Sequence, residues 1–256
     1  KIAFIANTGW YFYNYKRNLI NFLYSENYEI YLICPRDKYS EMLRKDNINV
    51  LNWQLNRSSK NIFKELKAIY SLYDILKKIN VDVIHNFTIK CVLYGTIASK
   101  INNVKYIFNS ITGLGNLFVI RSFKDKLIFS LIFPFYKLIL KYSNSKLVFQ
   151  NKYDLNFFIR KNIITPWKTS LIRGSGINTN HFKQSNNTFQ YTKSKNWKLL
   201  FPARVSKSKG IEELINACKI LWKKNKKFRL YIAGEIDYSN ASNDDKKYFK
   251  KIISLP

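Results

Sequence analysis

The sequence predicts an α/β fold built from doubly wound parallel sheets, and three features carry that prediction. Strand-like and helix-like segments alternate along most of the chain. The loops after the strand-like segments hold glycines, hydroxyls and cations, as expected where carboxyl ends of parallel strands form a ligand crevice. The stretch FPARVSKSKG (201–210) joins both signals. An apolar strand, 199–203, delivers Arg204; Lys209 and Gly210 come next, and a helix opens at IEELINACKILWKK before a second apolar strand, FRLYIAGE.

From the amino end, KIAFIA is a strand and YNYKRNLINFLYS a helix with apolar residues at helical spacing. YEIYLIC is a strand ending at Pro35, SEMLRKD a short helix and INVLNWQL a strand. NIFKELKAIYSLYDILKKI is a long amphipathic helix with Ile62, Leu66, Ile69, Leu72 and Leu76 on one face. VDVIH is a strand ending at His85, CVLYGTIASKI a helix and VKYIFN a strand. A helix over 120–142 comes next, then strand KLVFQ, helix NKYDLNFFIRKN and strand TSLIRG. Residues 178–197 are polar and aperiodic, and a new βαβα series begins at Lys198. The expected organisation is a Rossmann-like domain over 1–177, a linker over 178–197 and the start of a second domain over 198–256. Two strands and two helices cannot bury a stable core alone, so the second domain is expected to be incomplete.

Composition bounds the partners. A length of 256 residues suits one large or two ordinary α/β domains. The net charge of +28 has two sources. One is the joint abundance of Lys, Asn, Ile, Tyr and Phe that AT-rich codon usage produces. The other is an anionic partner: nucleic acid, anionic lipid or a phosphorylated substrate. The lysines are scattered rather than gathered in one tract, which weighs against nucleic acid. Cys34, Cys91 and Cys218 are far apart, without a Cys-x-x-Cys, which fits a reducing, cytoplasmic compartment. The chain opens at Lys1 on a strand-like segment, so no signal peptide is expected and the initiator Met is missing. LIFSLIFPFYKLIL (127–140) is too short to span a bilayer and is broken by Pro134 and Lys137. Flanked by RSFKDK and KYSNSK, it reads either as a helix lying on an anionic membrane or as a buried core helix.

Several loops carry candidate chemistry. Arg204, Lys209 and the helix start after Gly210 would together favour a phosphate, although a solvated basic loop is the plain alternative. Gly9 either lets the backbone approach a ligand or simply permits a βα turn. His85, Thr88 and Lys90 lie at or past a strand end, and His85 is either catalytic or structural. Thr112, Gly113 and Gly115 form a donor-rich loop that lacks the third glycine of a dinucleotide fingerprint. A nicotinamide oxidoreductase, a P-loop kinase, a serine-nucleophile elbow and a His/Cys or paired-acid metal site all lack their motifs.

The chain resembles glycosyltransferases of family 4, whose GT-B architecture has two facing Rossmann-like doubly wound parallel-sheet domains. The matching pieces run nearly end to end: NTGWYFYNYKRNLINFL, DVIHNFTIK, NSITGLG, FQNKYD, LIRGSGINTNHF, ARVSKSKGIEELINA and YIAGEIDYSN. FTIK, ITGLG and GEID are similar to a branch that adds a sugar, often an N-acetylhexosamine, to undecaprenyl-diphosphate-linked saccharides in bacterial surface-glycan assembly. The resemblance implies that Arg204 and Lys209, with Gly210, grip the donor's diphosphate. Gly9, Thr88, Lys90, Thr112, Gly113, Gly115, Gly234 and Glu235 would form donor and acceptor loops. His85 falls on the family's catalytic histidine-bearing strand end; Phe87 stands where many relatives carry a second histidine, and Asn178 stands for a usual Asp after the turn of Gly174 and Gly176. The family's two glutamates eight residues apart have no counterpart after Lys209: eight past Glu212, Glu213 and Glu235 stand Ile220, Leu221 and Asn243. The expectation is an N-terminal fragment of a longer enzyme that would catalyse poorly by itself.

The expected function is a retaining, metal-independent, cofactor-free glycosyltransferase using a nucleotide-sugar, a UDP-sugar, and a lipid-diphosphate-linked saccharide acceptor. It would sit on the cytoplasmic face of an anionic inner membrane, held by its basic charge and the 120–142 helix. The alternative is a non-catalytic basic module binding anionic membrane or nucleic acid, for which no DNA- or RNA-reading motif is present. An epimerase of the same fold would need a carboxylate pattern not seen here.

Overall fold

A computed structural model of the chain describes residues 1–56, 59, 61–113, 123–183 and 197–236. It divides into two compact units, Lys1–Lys183 and Gln184–Pro256.

The first unit alternates strands and helices. In chain order they are β1 (Ile2–Ile5), α1 (Gly9–Tyr11), a π-helical stretch (Phe12–Lys16), α2 (Arg17–Ser25), β2 (Ile30–Cys34), α3 (Lys38–Lys45) and β3 (Asn49–Asn52). Then come α4 (Ile62–Ile79), β4 (Val83–Phe87), α5 (Ile89–Ile101), β5 (Tyr106–Ile111), α6 (Phe123–Tyr142), β6 (Ser145–Phe149), α7 (Lys152–Arg160) and β7 (Thr169–Leu171). The strands form one parallel sheet in the order β3-β2-β1-β4-β5-β6-β7. The order reverses between β1 and β4, so their carboxyl ends flank the crevice where such sheets bind ligands.

Near-continuous apolar runs make central strands because helices cover both faces. All four residues of β1 are buried. One core lies under α2 and α3, with Phe4, Phe12, Ile20, Leu32, Leu43 and Phe87. A second lies under α4 and α5, with Ile5, Ile33, Trp53, Leu72, Leu76 and Ile84. Trp53 is fully buried, and its indole N–H donates to the Ala68 carbonyl at 2.9 Å, so its polar end is satisfied.

Two sequence expectations change. The periodic face of α4 turns away from the core in its first turns: Ala68, Leu72 and Leu76 are buried, but Ile62, Phe63, Leu66 and Tyr70 are exposed. In those turns Glu65 points inward instead, toward Lys90 and Tyr94 of α5. β4 runs two residues past His85, to Phe87, because Ile84 and Asn86 keep facing one buried side while Phe87 is buried on the other. α6 holds Pro134 and buries Tyr136 and Leu140, as a core helix does, while Phe135 and Leu138 are exposed. None of the described helices is long and apolar enough to cross a membrane.

The second unit has β8 (Trp197–Phe201), a short 3-10 turn (Lys207–Lys209), α8 (Ile211–Lys223) and β9 (Phe228–Ile232), with β8 and β9 parallel. Val205, Ile211 and Ile215 form its small core.

Candidate functional site

In the first unit the chemistry gathers at the β1/β4 crevice. His85 lies within β4, paired in register with Phe4 of β1 and Phe108 of β5. Its ring lies 4.2 Å from that of Phe87, and its Nε2 meets the Ser110 hydroxyl at 2.7 Å. Burial, and then the charge of Lys16, push its pKa from 6.5 down to about 3. The imidazole is therefore neutral near pH 7. One of its ring nitrogens donates a hydrogen bond and the other accepts one. Nothing in the stretch NSITGLG distinguishes Ser110 from its neighbouring hydroxyl, so sequence reasoning misses this partner.

Thr88, next along the chain, has φ +72° and ψ 152°, a conformation that β-branched residues rarely adopt. Such strain concentrates at ligand sites. Thr112 and Gly113 come directly after β5, and Gly115 lies outside the described residues.

A second group enters the crevice from the irregular helix after β1. The π-helical stretch ends at Lys16, whose Nζ lies 5.0 Å from the Phe87 ring centre and 5.9 Å from that of Tyr11. Burial holds the Lys16 pKa below its usual value and raises that of Tyr11. The buried Tyr11 hydroxyl stands beside Ser175 without an aligned hydrogen bond, while Ser175 accepts from the Gln150 amide at 3.1 Å. π-bulges frequently mark functional sites.

Two predicted loop residues have partners within the first unit. The N–H groups of Gly9 and Trp10 donate to the Asp37 carboxylate at 2.8 and 3.3 Å, so the helix start that the sequence aimed at a ligand is taken. A Cβ on Gly9 would stand 2.5 Å from Asp37 Oδ1 and from the Ser40 nitrogen, which is why no side chain fits there. Asp37 also caps α3 in a reciprocal box with Ser40. Asp37→Ala should therefore lower stability by about 3 kcal/mol, read by urea denaturation, with Asp37→Asn losing less because its amide oxygen still accepts. Lys90 is held by the carbonyls of Asn56 and Ser59 and by Glu65, the last at 2.9 Å. Tyr94 donates to the other Glu65 oxygen.

In the second unit, Arg204 and Lys209 are exposed beyond the end of β8. Gly210 heads α8, and no side chain makes a capping hydrogen bond to that helix start. Glu212 and Glu213 lie in the first turn, and Lys207 pairs with Glu212 at 3.3 Å. Gly234 is required for packing: a Cβ there would stand 2.1 Å from the Ala203 carbonyl, and Val205 N–H donates to the Glu235 carbonyl at 2.9 Å. Together these contacts bring the loops after β8 and β9 side by side. Among the described residues no three His, Cys, Asp or Glu side chains gather as a metal site.

This arrangement has known counterparts. The family model of glycosyl transferase 4-like proteins matches residues 1–151. The chain belongs to the glycosyl transferase 4-like family. The model of glycosyl transferases group 1 matches residues 183–255. The N,N'-diacetylbacillosaminyl-diphospho-undecaprenol alpha-1,3-N-acetylgalactosaminyltransferase of Campylobacter jejuni is 29% identical over 182 residues, 71% of this chain and 48% of that protein. The UDP-Gal:alpha-D-GlcNAc-diphosphoundecaprenol alpha-1,3-galactosyltransferase of Escherichia coli is 23% identical over 148 residues, 58% of this chain and 37% of that protein. The chain thus spans less than half of either relative. The crystal structure of Anabaena HepE in complex with UDP and glucose has a TM-score of 0.70 at 17% identity, covering 99% of this chain and 66% of that one. The fold of this glycosyl transferase 4-like chain is accordingly α/β, of the GT-B class.

Proposed function

We propose that the protein is a retaining glycosyltransferase that moves a sugar from a UDP-sugar to a lipid-diphosphate-linked saccharide in cell-surface polysaccharide assembly. The observation that carries the reading is the second unit's pairing of two exposed cations, Arg204 and Lys209, with an uncapped helix start at the carboxyl edge of β8 and β9. Departure of the nucleotide builds negative charge on the β-phosphate. Cations and N–H groups fixed in place stabilise that charge more than they stabilise the bound substrate. Both named relatives act on diphospho-undecaprenol-linked sugars, and one uses UDP-galactose, which supports the donor and acceptor classes.

The first unit would take the acceptor. Neutral His85, held by Ser110, offers a hydrogen-bonding wall beside the reacting sugar rather than a proton donor. Thr112 and Gly113 line the adjoining loop, and the reaction as read needs neither metal nor cofactor. A peripheral site on the cytoplasmic face of the membrane fits the exposed Phe63, Leu66 and Tyr70 of α4 beside Lys64 and Lys67.

The test is nucleotide release by the full-length protein, offered a panel of UDP-sugars and short-chain diphosphate-linked saccharides. Release that requires both substrates, with a sugar added to the lipid-linked product, is expected. No release with any pair sinks the reading. Steep, sequence-blind DNA binding at physiological salt would instead favour the basic-module alternative.

A further inference from the structure

Lys16 stands out among the cations of the first unit. Its neighbour Arg17 pairs with Asp46 at 2.6 Å and stacks on Tyr13, and Lys90 pairs with Glu65. Among the described residues, no carboxylate lies within ion-pair distance of Lys16; its contacts are the faces of Tyr11 and Phe87. Removing an ammonium from water without a counter-charge is unfavourable, and aromatic faces offset only about 2 kcal/mol of that. The cost is incurred over the last residue of β4, at the point where the strand order reverses.

The surrounding groups are donors. The Tyr11 hydroxyl is buried without an aligned partner. Ser175 accepts from the Gln150 amide and stands beside the Tyr11 oxygen. The His85 imidazole is engaged with the Ser110 hydroxyl at 2.7 Å. A point charge with two hydroxyl donors suits a tetrahedral oxyanion, whereas a planar carboxylate would be matched by an Arg fork. We propose that Lys16, with the hydroxyls of Tyr11 and Ser175, forms a phosphoryl-binding site on the first unit that takes a diphosphate. The anion site stands on this geometry; only the choice of diphosphate rests on the transfer reaction proposed above. That diphosphate could come from the lipid-linked acceptor or from the nucleotide-sugar.

Titration calorimetry tests this without turnover, so failure of the transferase reading would leave the result interpretable. The parent is the whole chain carrying Arg204→Met and Lys209→Met, which removes the second unit's cations. The probes are inorganic diphosphate, UDP and farnesyl diphosphate. Lys16→Gln is expected to weaken inorganic diphosphate binding by about tenfold or more, the scale of one charge-assisted contact. Lys16→Arg should retain most of it, and Tyr11→Phe, which keeps the charge, should weaken it severalfold. With inorganic diphosphate binding weakened, a larger loss for farnesyl diphosphate than for UDP assigns the acceptor as source, and the reverse assigns the donor. A parent that does not bind inorganic diphosphate overturns it. So does a Lys16→Gln variant with parental circular dichroism and Tm that binds diphosphate as the parent does.

Discussion

Replacing Arg204 with methionine in the full-length protein is expected to lower kcat/KM for sugar transfer by about 10²–10³-fold, the usual cost of removing one preorganised donor from a developing anion. The loss should fall mainly on kcat. The ground-state diphosphate already carries charge that water and Lys209 can share, whereas the charge that grows as the glycosidic bond breaks depends on the fixed groups. Arg204→Lys should recover only part, because an ammonium cannot reproduce the guanidinium's planar fork. Lys209→Met should cost comparably, and the double variant less than the product of the two, since both act on one charge. Both side chains are exposed, so the variants should unfold within about 0.5 kcal/mol of the parent. Unchanged kcat/KM in both single variants would remove the cations from the mechanism.

The order of βα units was legible because apolar strands and amphipathic helices differ in period and alternate with little ambiguity. The placement of Arg204, Lys209 and Gly210 between β8 and α8 was legible too, because an apolar strand and an amphipathic helix bracket them. The crevice of the first unit was harder to read. Gly9 looked like a ligand loop because the residue that occupies its N–H group, Asp37, stands 28 positions away. The Lys90–Glu65 pair was not legible because Glu65 belongs to a helix whose periodicity placed the neighbouring apolar residues inside. Lys16 was missed for a different reason. A π-helical stretch adds one residue to a turn and rotates the rest of the helix by about 100°. A regular wheel drawn through YFYNYKRN therefore cannot say which cation of the Lys16–Arg17 pair faces the crevice. His85 was noticed for its residue type, but its neutrality arises from Phe4, Phe87 and Phe108 around it, which only the sheet register brings together.

That neutrality has a measurable consequence in acid. His85 has a pKa near 6.5 when unfolded and about 3 when folded. Between those values the unfolded chain binds a proton at this position and the native chain does not. Stability therefore rises with pH across the window, and the contribution present above pH 6.5 is lost as pH falls toward 3. The slope from one such group approaches about 1.4 kcal/mol per pH unit. Glu29 and Asp82, at the surface, have lowered pKa values and add their own loss, but only below the ordinary carboxylate range. The quantity to measure is therefore the difference between the parent and His85→Gln, whose amide can still meet Ser110 but does not titrate. Urea denaturation at intervals from about pH 7 to about pH 4 should show the parent losing stability faster than His85→Gln, with the two curves converging or crossing in acid. Parallel curves would mean that the folded imidazole titrates normally and is open to water. His85 would then be free to take up a proton near neutral pH, and its part in the reaction would have to be rewritten as that of an acid.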